Sequence, residues 1–132
     1  HKHLIQGNHD RVKGKLRPYW KSIEQYAEIN DENRLVILSH YPIPFYKNQH
    51  YGAVMLYGHV HNTREWELVE KWKKAQWELG IPSRLINVGC MMAYMNYTPR
   101  TLDELLEANP QPMIERIRKD GTNAGENSNG EL

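Results

Sequence analysis

This 132-residue chain has a single cysteine, a single phenylalanine and almost no net charge, +1. The lone Cys90 excludes an internal disulfide and fits a reducing compartment, so the expected location is cytoplasmic. No apolar run approaches the roughly 18 residues that a membrane-spanning helix needs, so no membrane partner is expected. Seventeen basic and sixteen acidic residues are interspersed, and overall charge favours neither a polyanion nor an acidic partner. The first ten residues lack the layout of a secretory signal. An initiating Met is also lacking and a strand-like run begins at once, which reads as a piece of something longer.

What is present is enough for one domain. Hydrophobic residues make up 39% of the chain, an ordinary share for a globular protein, although the mean hydropathy of −0.78 is on the polar side. The spacing predicts strands over 3–6, 35–38, 53–57 and 84–88, each a short apolar run closed by a polar or glycine-bearing stretch. Leu35 to Leu38 is the clearest, four consecutive aliphatics as in a strand covered on both faces. Trp20, Ile23, Tyr26, Ala27 and Ile29 predict an amphipathic helix over 18–30. A second helix is expected over 64–79, capped by Asn62 or Thr63 and ended by Gly80. Thr101 and Glu104 have the spacing of a capping box that opens a third, and a short fourth helix is expected over 110–119. The expected domain is 1–120, and 121–132 is too polar to bury anything and reads as a disordered tail. Strand, loop and helix alternate as in an α/β protein.

Three strings sit at three predicted strand ends, where open α/β sheets gather their ligands: Gly7-Asn8-His9-Asp10, Ser39-His40-Tyr41-Pro42 and Gly58-His59-Val60-His61. Imidazole suits transition metals, and an amide oxygen suits the harder ones. His59 and His61, two apart after a flexible Gly58, can both approach one pair of ions; alone, the pattern is weak and a polar loop is the plainer reading. A single histidine such as His40 is more often a hydrogen-bonded structural residue. Asn8 offers a neutral oxygen ligand, and Asp10 can orient His9 as a general acid, although the string is also good turn composition.

Taken together and in this order, the strings resemble the calcineurin-like metallophosphoesterase superfamily, with the aliphatic strand before His40 and Asn87-Val88-Gly89 adding to the likeness over about residues 2–89. The resemblance implies a four-layer α/β/β/α sandwich and hydrolysis of a phosphomonoester or phosphodiester, small molecule or nucleic acid. Two divalent ions (Mn, Fe or Zn) would activate the water that attacks phosphorus. Asn8, His40 and His59 would bind one ion and His61 the other; His9, positioned by Asp10, would stand near the phosphate and leaving group as the catalytic pair. The family's earlier Asp-x-His and Gly-Asp motifs do not occur. Asp31, Asp103 and Asp120, the other aspartates, lack that context, so the chain is expected to be the C-terminal portion of such a domain and to hold one ion by itself. A non-catalytic scaffold of the same fold, and a single structural metal on Asn8, His40 and His59, are the alternatives.

Among the remaining residues, Trp66, Trp72 and Trp77 are expected to form a packed helix face, although surface left uncovered by a missing half would favour self-association. Met91, Met92, Met95, Tyr94 and Tyr97 read as core filler or a sheet edge, Cys90 as a buried thiol, and His50 as an exposed loop residue. Tyr41 and Tyr46 are the candidates for a substrate-pocket wall.

Overall fold

The computed structural model describes residues 1–113. Its centre is the aliphatic run expected to be a two-sided strand. Strand β4 (Arg34–Ser39) lies inside a four-stranded sheet whose order is β3 (Tyr26–Asp31), β4, β5 (Val54–Tyr57), β6 (Leu85–Asn87). β4, β5 and β6 run parallel and β3 runs antiparallel to β4. Val36, Ile37, Val54, Met55, Leu85 and Ile86 are all buried, because consecutive residues point to opposite faces and both faces are covered.

On one face Ile37, Met55, Tyr57 and Leu85 pack against Trp66 and Val69 of helix α1 (Arg64–Glu78), the crossover between β5 and β6. On the other, Val54 and Ile86 pack with Met92, Met95 and Leu105, the last from helix α2 (Leu102–Ala108). The molecule is thus a small mixed α/β domain. A separate two-stranded parallel sheet pairs β1 (His3–Ile5) with β2 (Ser22–Glu24). No helix among the described residues is long and apolar enough to cross a membrane.

The helix ends follow their local chemistry. Thr63, not Asn62, caps α1 by accepting the Glu65 N–H. At its other end Gly80 takes φ +72°, and the Ile81 and Gly80 N–H groups donate to the carbonyls of Gln76 and Trp77, the Schellman arrangement. α2 opens with the full capping box between Thr101 and Glu104.

The helix expected over 18–30 does not form. Gly14–Tyr19 is a 3₁₀ stretch, and β2 and β3 occupy the rest. In β3, Ala27 and Ile29 lie opposite Leu38 and Val36, so a period of two aligned with a buried partner strand prevails over an imperfect helical period. The polar break that follows is a two-residue hairpin turn, with φ of 48° at Glu32 and 68° at Asn33, and the Asn33 N–H donating to Asn30 Oδ1. Residues 110–113 are irregular; the remainder of the expected fourth helix and the tail lie outside the described residues.

Three further expectations change. Cys90 is exposed: it lies in the turn after β6 and is not part of the cluster that buries Met92 and Met95. Tyr97 is exposed too, whereas Tyr94 packs on the core and donates its hydroxyl to the Asn87 carbonyl at 2.5 Å. Of the tryptophans, Trp66 bridges both core clusters and Trp77 donates to the Ser83 carbonyl, but Trp72 is partly exposed, edge-on to Phe45.

Candidate functional site

The parallel strands β4 and β5 end side by side, and β1 ends against them. Three loops therefore meet at one point. Gly7 lets them meet closely: a Cβ built there would lie 2.8 Å from His40 Cε1 and 2.9 Å from Nδ1, so any other residue would push the imidazole aside as the β1 loop passes over its face.

Asn8, His40 and His59 converge across these loops. His40 Nε2 is 2.8 Å from Asn8 Oδ1, and His59 Nδ1 is 3.2 Å from each of them. Hydrogen bonds cannot form along all three edges of this triangle at once. Each edge needs one donor and one acceptor, and three atoms on a closed ring cannot alternate between two roles. Whichever tautomers or amide orientation are chosen, one edge joins like with like.

A shared cation removes the conflict, since all three atoms then act as electron-pair donors to it. The separations also suit one, because ligands about 2.1 Å from a common ion and at right angles stand about 3.0 Å apart. Two imidazole nitrogens and one amide oxygen form a donor set for borderline to hard divalent cations. Among the described residues no three His, Cys, Asp or Glu side chains cluster as a metal site, because the third donor here is an amide.

The loop carrying His59 is held under strain. His59 and His61 adopt φ of 53° and 51°, left-handed values uncommon outside glycine, although His, like Asn and Asp, takes them more readily than other side chains. The loop is clamped from β6. Buried Asn87 donates its Nδ2–H to the His61 carbonyl at 2.7 Å and accepts the Gly89 N–H at 2.9 Å. Thr63 also donates to the Val60 carbonyl at 2.7 Å. The sequence marks Asn87 only as part of the string Asn87-Val88-Gly89 in the family likeness and gives no sign of this clamping role.

Not every expected site residue joins the cluster. His61 is exposed, and its contact with Asn87 is made by its main chain. His9 is exposed, and Asp10 does not orient it: the Asp10 carboxylate accepts the Gly7 N–H at 2.7 Å and so closes the β1 loop. The orientation differs because the turn donor lies three residues back, within easy reach of a short side chain.

Of the two tyrosines, Tyr41 stands beside the cluster. Its ring lies 5.2 Å from that of His40, nearly perpendicular, and 4.5 Å from that of His59. Tyr46 is elsewhere, its hydroxyl accepting the Arg84 N–H at the start of β6, where burial pushes its pKa up to about 12. His50 is exposed in the lining of a cleft of about 860 Å³ at the opposite end of the sheet, around Arg34 and Arg84. A second cleft, about 610 Å³, opens directly beside Asn8 and His40.

Electrostatics favour the neutral ligand form at His40. Burial lowers its pKa below the ordinary 6.5, and the neighbouring His59 adds to the fall while Asp10 opposes it. No protein-family model, characterised protein or solved structure matches the chain.

Proposed function

We propose that this chain is part of a metal-dependent phosphoester hydrolase of metallophosphoesterase type, within the four-layer sandwich of that superfamily. The observation that carries the reading is the triangle of Asn8, His40 and His59, whose three edges cannot all be hydrogen bonds and whose three atoms a divalent cation can hold together. Its delivery from the carboxyl ends of β1, β4 and β5 supports the same reading, since that is where α/β sheets place their chemistry.

In this reading Asn8, His40 and His59 hold one divalent ion such as Mn, Fe or Zn. His61, one short turn away, would serve a second, and no further carboxylate at this site would complete that set. Such ions supply a water activated at neutral pH and neutralise charge on the phosphate oxygens. The chain's own residues set the rest. Gly7 and Asn87 fix the ligand loops, and burial keeps His40 unprotonated. His9, free of any side-chain bond among the described residues, is available to protonate a leaving group. We place the protein in the cytoplasm.

Hydrolysis of bis-p-nitrophenyl phosphate with Mn²⁺, measured together with the metal content of the purified chain, tests this. About one bound metal, lost on chelation and in His59→Ala with the fold intact, is the expected result for the chain by itself, and chelator-sensitive turnover would show that the residues present suffice for catalysis. A metal whose removal unfolds the chain would make the site structural, and neither metal nor turnover would leave a scaffold.

A further inference from the structure

The cleft beside the triangle is unusual in what lines it. Asn8 and His40 form one end, so a ligand held by the metal site extends into it. No Lys or Arg lines the cleft, and Asp10 is its one carboxylate. A polyanionic group would find no counter-charge there, and Asp10 would repel it. What the walls do offer is two tyrosine rings, Tyr26 and Tyr41, each close to half exposed at 44% and 49%.

Both rings are held in place before any ligand arrives. Tyr41 is wedged against the imidazoles of His40 and His59, with ring centres 5.2 and 4.5 Å away. Tyr26 donates its hydroxyl to Glu28 at 2.9 Å, and Glu28 is in turn paired with Lys47 at 2.6 Å. Ordering exposed aromatic side chains costs entropy, and the two rings are fixed by unrelated contacts, Tyr26 on β3 and Tyr41 in the loop after β4. Rings fixed in advance bind flat partners with less loss on association.

We propose that Tyr41, with Tyr26, determines substrate specificity: the cleft selects phosphate esters bearing a flat, uncharged ring next to the ester. This rests on the phosphoesterase reading above and names the substrate class for that site. Tyr41 acts by contact with the ring of the ester, and it also covers the imidazoles that hold the phosphate end.

Calorimetric titration of phenylphosphonate and methylphosphonate in the presence of Mn²⁺ tests the proposal, because neither is hydrolysed and they differ only in the ring. Wild type and Tyr41→Phe should prefer phenylphosphonate by about 2- to 12-fold, the range that one aromatic pair supplies. In Tyr41→Leu the preference should fall towards one. If Tyr41→Leu does not fold, as judged by circular dichroism, Tyr26→Leu reads the same ratio from a ring that touches neither histidine. Equal binding of the two phosphonates by wild type, or a preference that survives loss of the ring, overturns the proposal while the phosphoesterase reading stands. Binding of neither phosphonate with Mn²⁺ present overturns both.

Discussion

Adding one methyl group at Gly7 should dismantle the proposed metal site while leaving most of the fold. A Cβ there meets His40 at 2.8 Å from Cε1, 2.9 Å from Nδ1 and 3.1 Å from Nε2. Carbon contacts relax to about 3.5–4.0 Å, so the imidazole must retreat by about 0.7–1.2 Å. Metal–ligand distances tolerate about 0.2 Å, and disturbances of the groups that orient ligands typically cost about 10- to 100-fold in affinity. Gly7→Ala should therefore bind Mn²⁺ that much more weakly. The half-buried ring has room to move, so the stability cost should stay near the low end for overpacking, about 1 kcal/mol or about 3–6 °C in Tm. Gly58→Ala is the matched control, since its Cβ would stand 3.7 Å from the same His40 Nδ1, an ordinary contact. Calorimetric titration of Mn²⁺ into the three proteins decides the matter. Equal affinity in Gly7→Ala and wild type would refute the reasoning, as would an equal loss in Gly58→Ala.

Other outcomes follow from the same geometry. Asn87→Ala strands the His61 carbonyl and empties a buried site, which should cost about 1–3 kcal/mol in chemical denaturation and weaken Mn²⁺ binding through the loosened loop; an unchanged midpoint would remove Asn87 as a clamp. His61→Gly relieves a left-handed backbone at a side chain that packs on nothing in the core, so Tm should hold or rise by the equivalent of about 1 kcal/mol, and a fall would show the imidazole to be structural. His40 should titrate by NMR with a midpoint below 6.5. Because the unfolded chain takes that proton at higher pH than the folded one, His40 should erode stability as pH falls through 6.5 and have no such effect above it; a midpoint at or above 6.5 would refute its desolvation. Thr101→Ala removes the α2 capping box and should cost about 1 kcal/mol, read by thermal melting.

What could be read in advance was whatever depends on neighbours in the chain. The run Leu35 to Leu38, the Gly80 stop and the Thr101–Glu104 box are local patterns, and each appears as expected in the structure. The stretch 18–30 misled because Tyr26, Ala27 and Ile29 suit either period, and the deciding partner, β4, comes after it. The three strand-end strings were legible as strings, and Asn8, His40 and His59 do meet. That His61 stays outside the cluster, and that Asp10 serves Gly7 instead of His9, depends on loop geometry that spacing does not encode. Asn87 and Gly7 were hardest to see, since each acts on a residue 26 or more positions away.

The triangle straddles two sheets: Asn8 follows the short parallel pair β1–β2, whereas His40 and His59 follow strands of the four-stranded sheet. A cation held there would act as a clasp across that seam. The smaller sheet has three paired positions, so its amides should exchange with solvent through local opening well before the buried amides of β4 and β5 do. Each such opening takes Asn8 out of the site. Metal occupancy and the slowing of hydrogen exchange in β1 and β2 should then rise together, which makes the least anchored part of the domain the part that reports whether the site is filled.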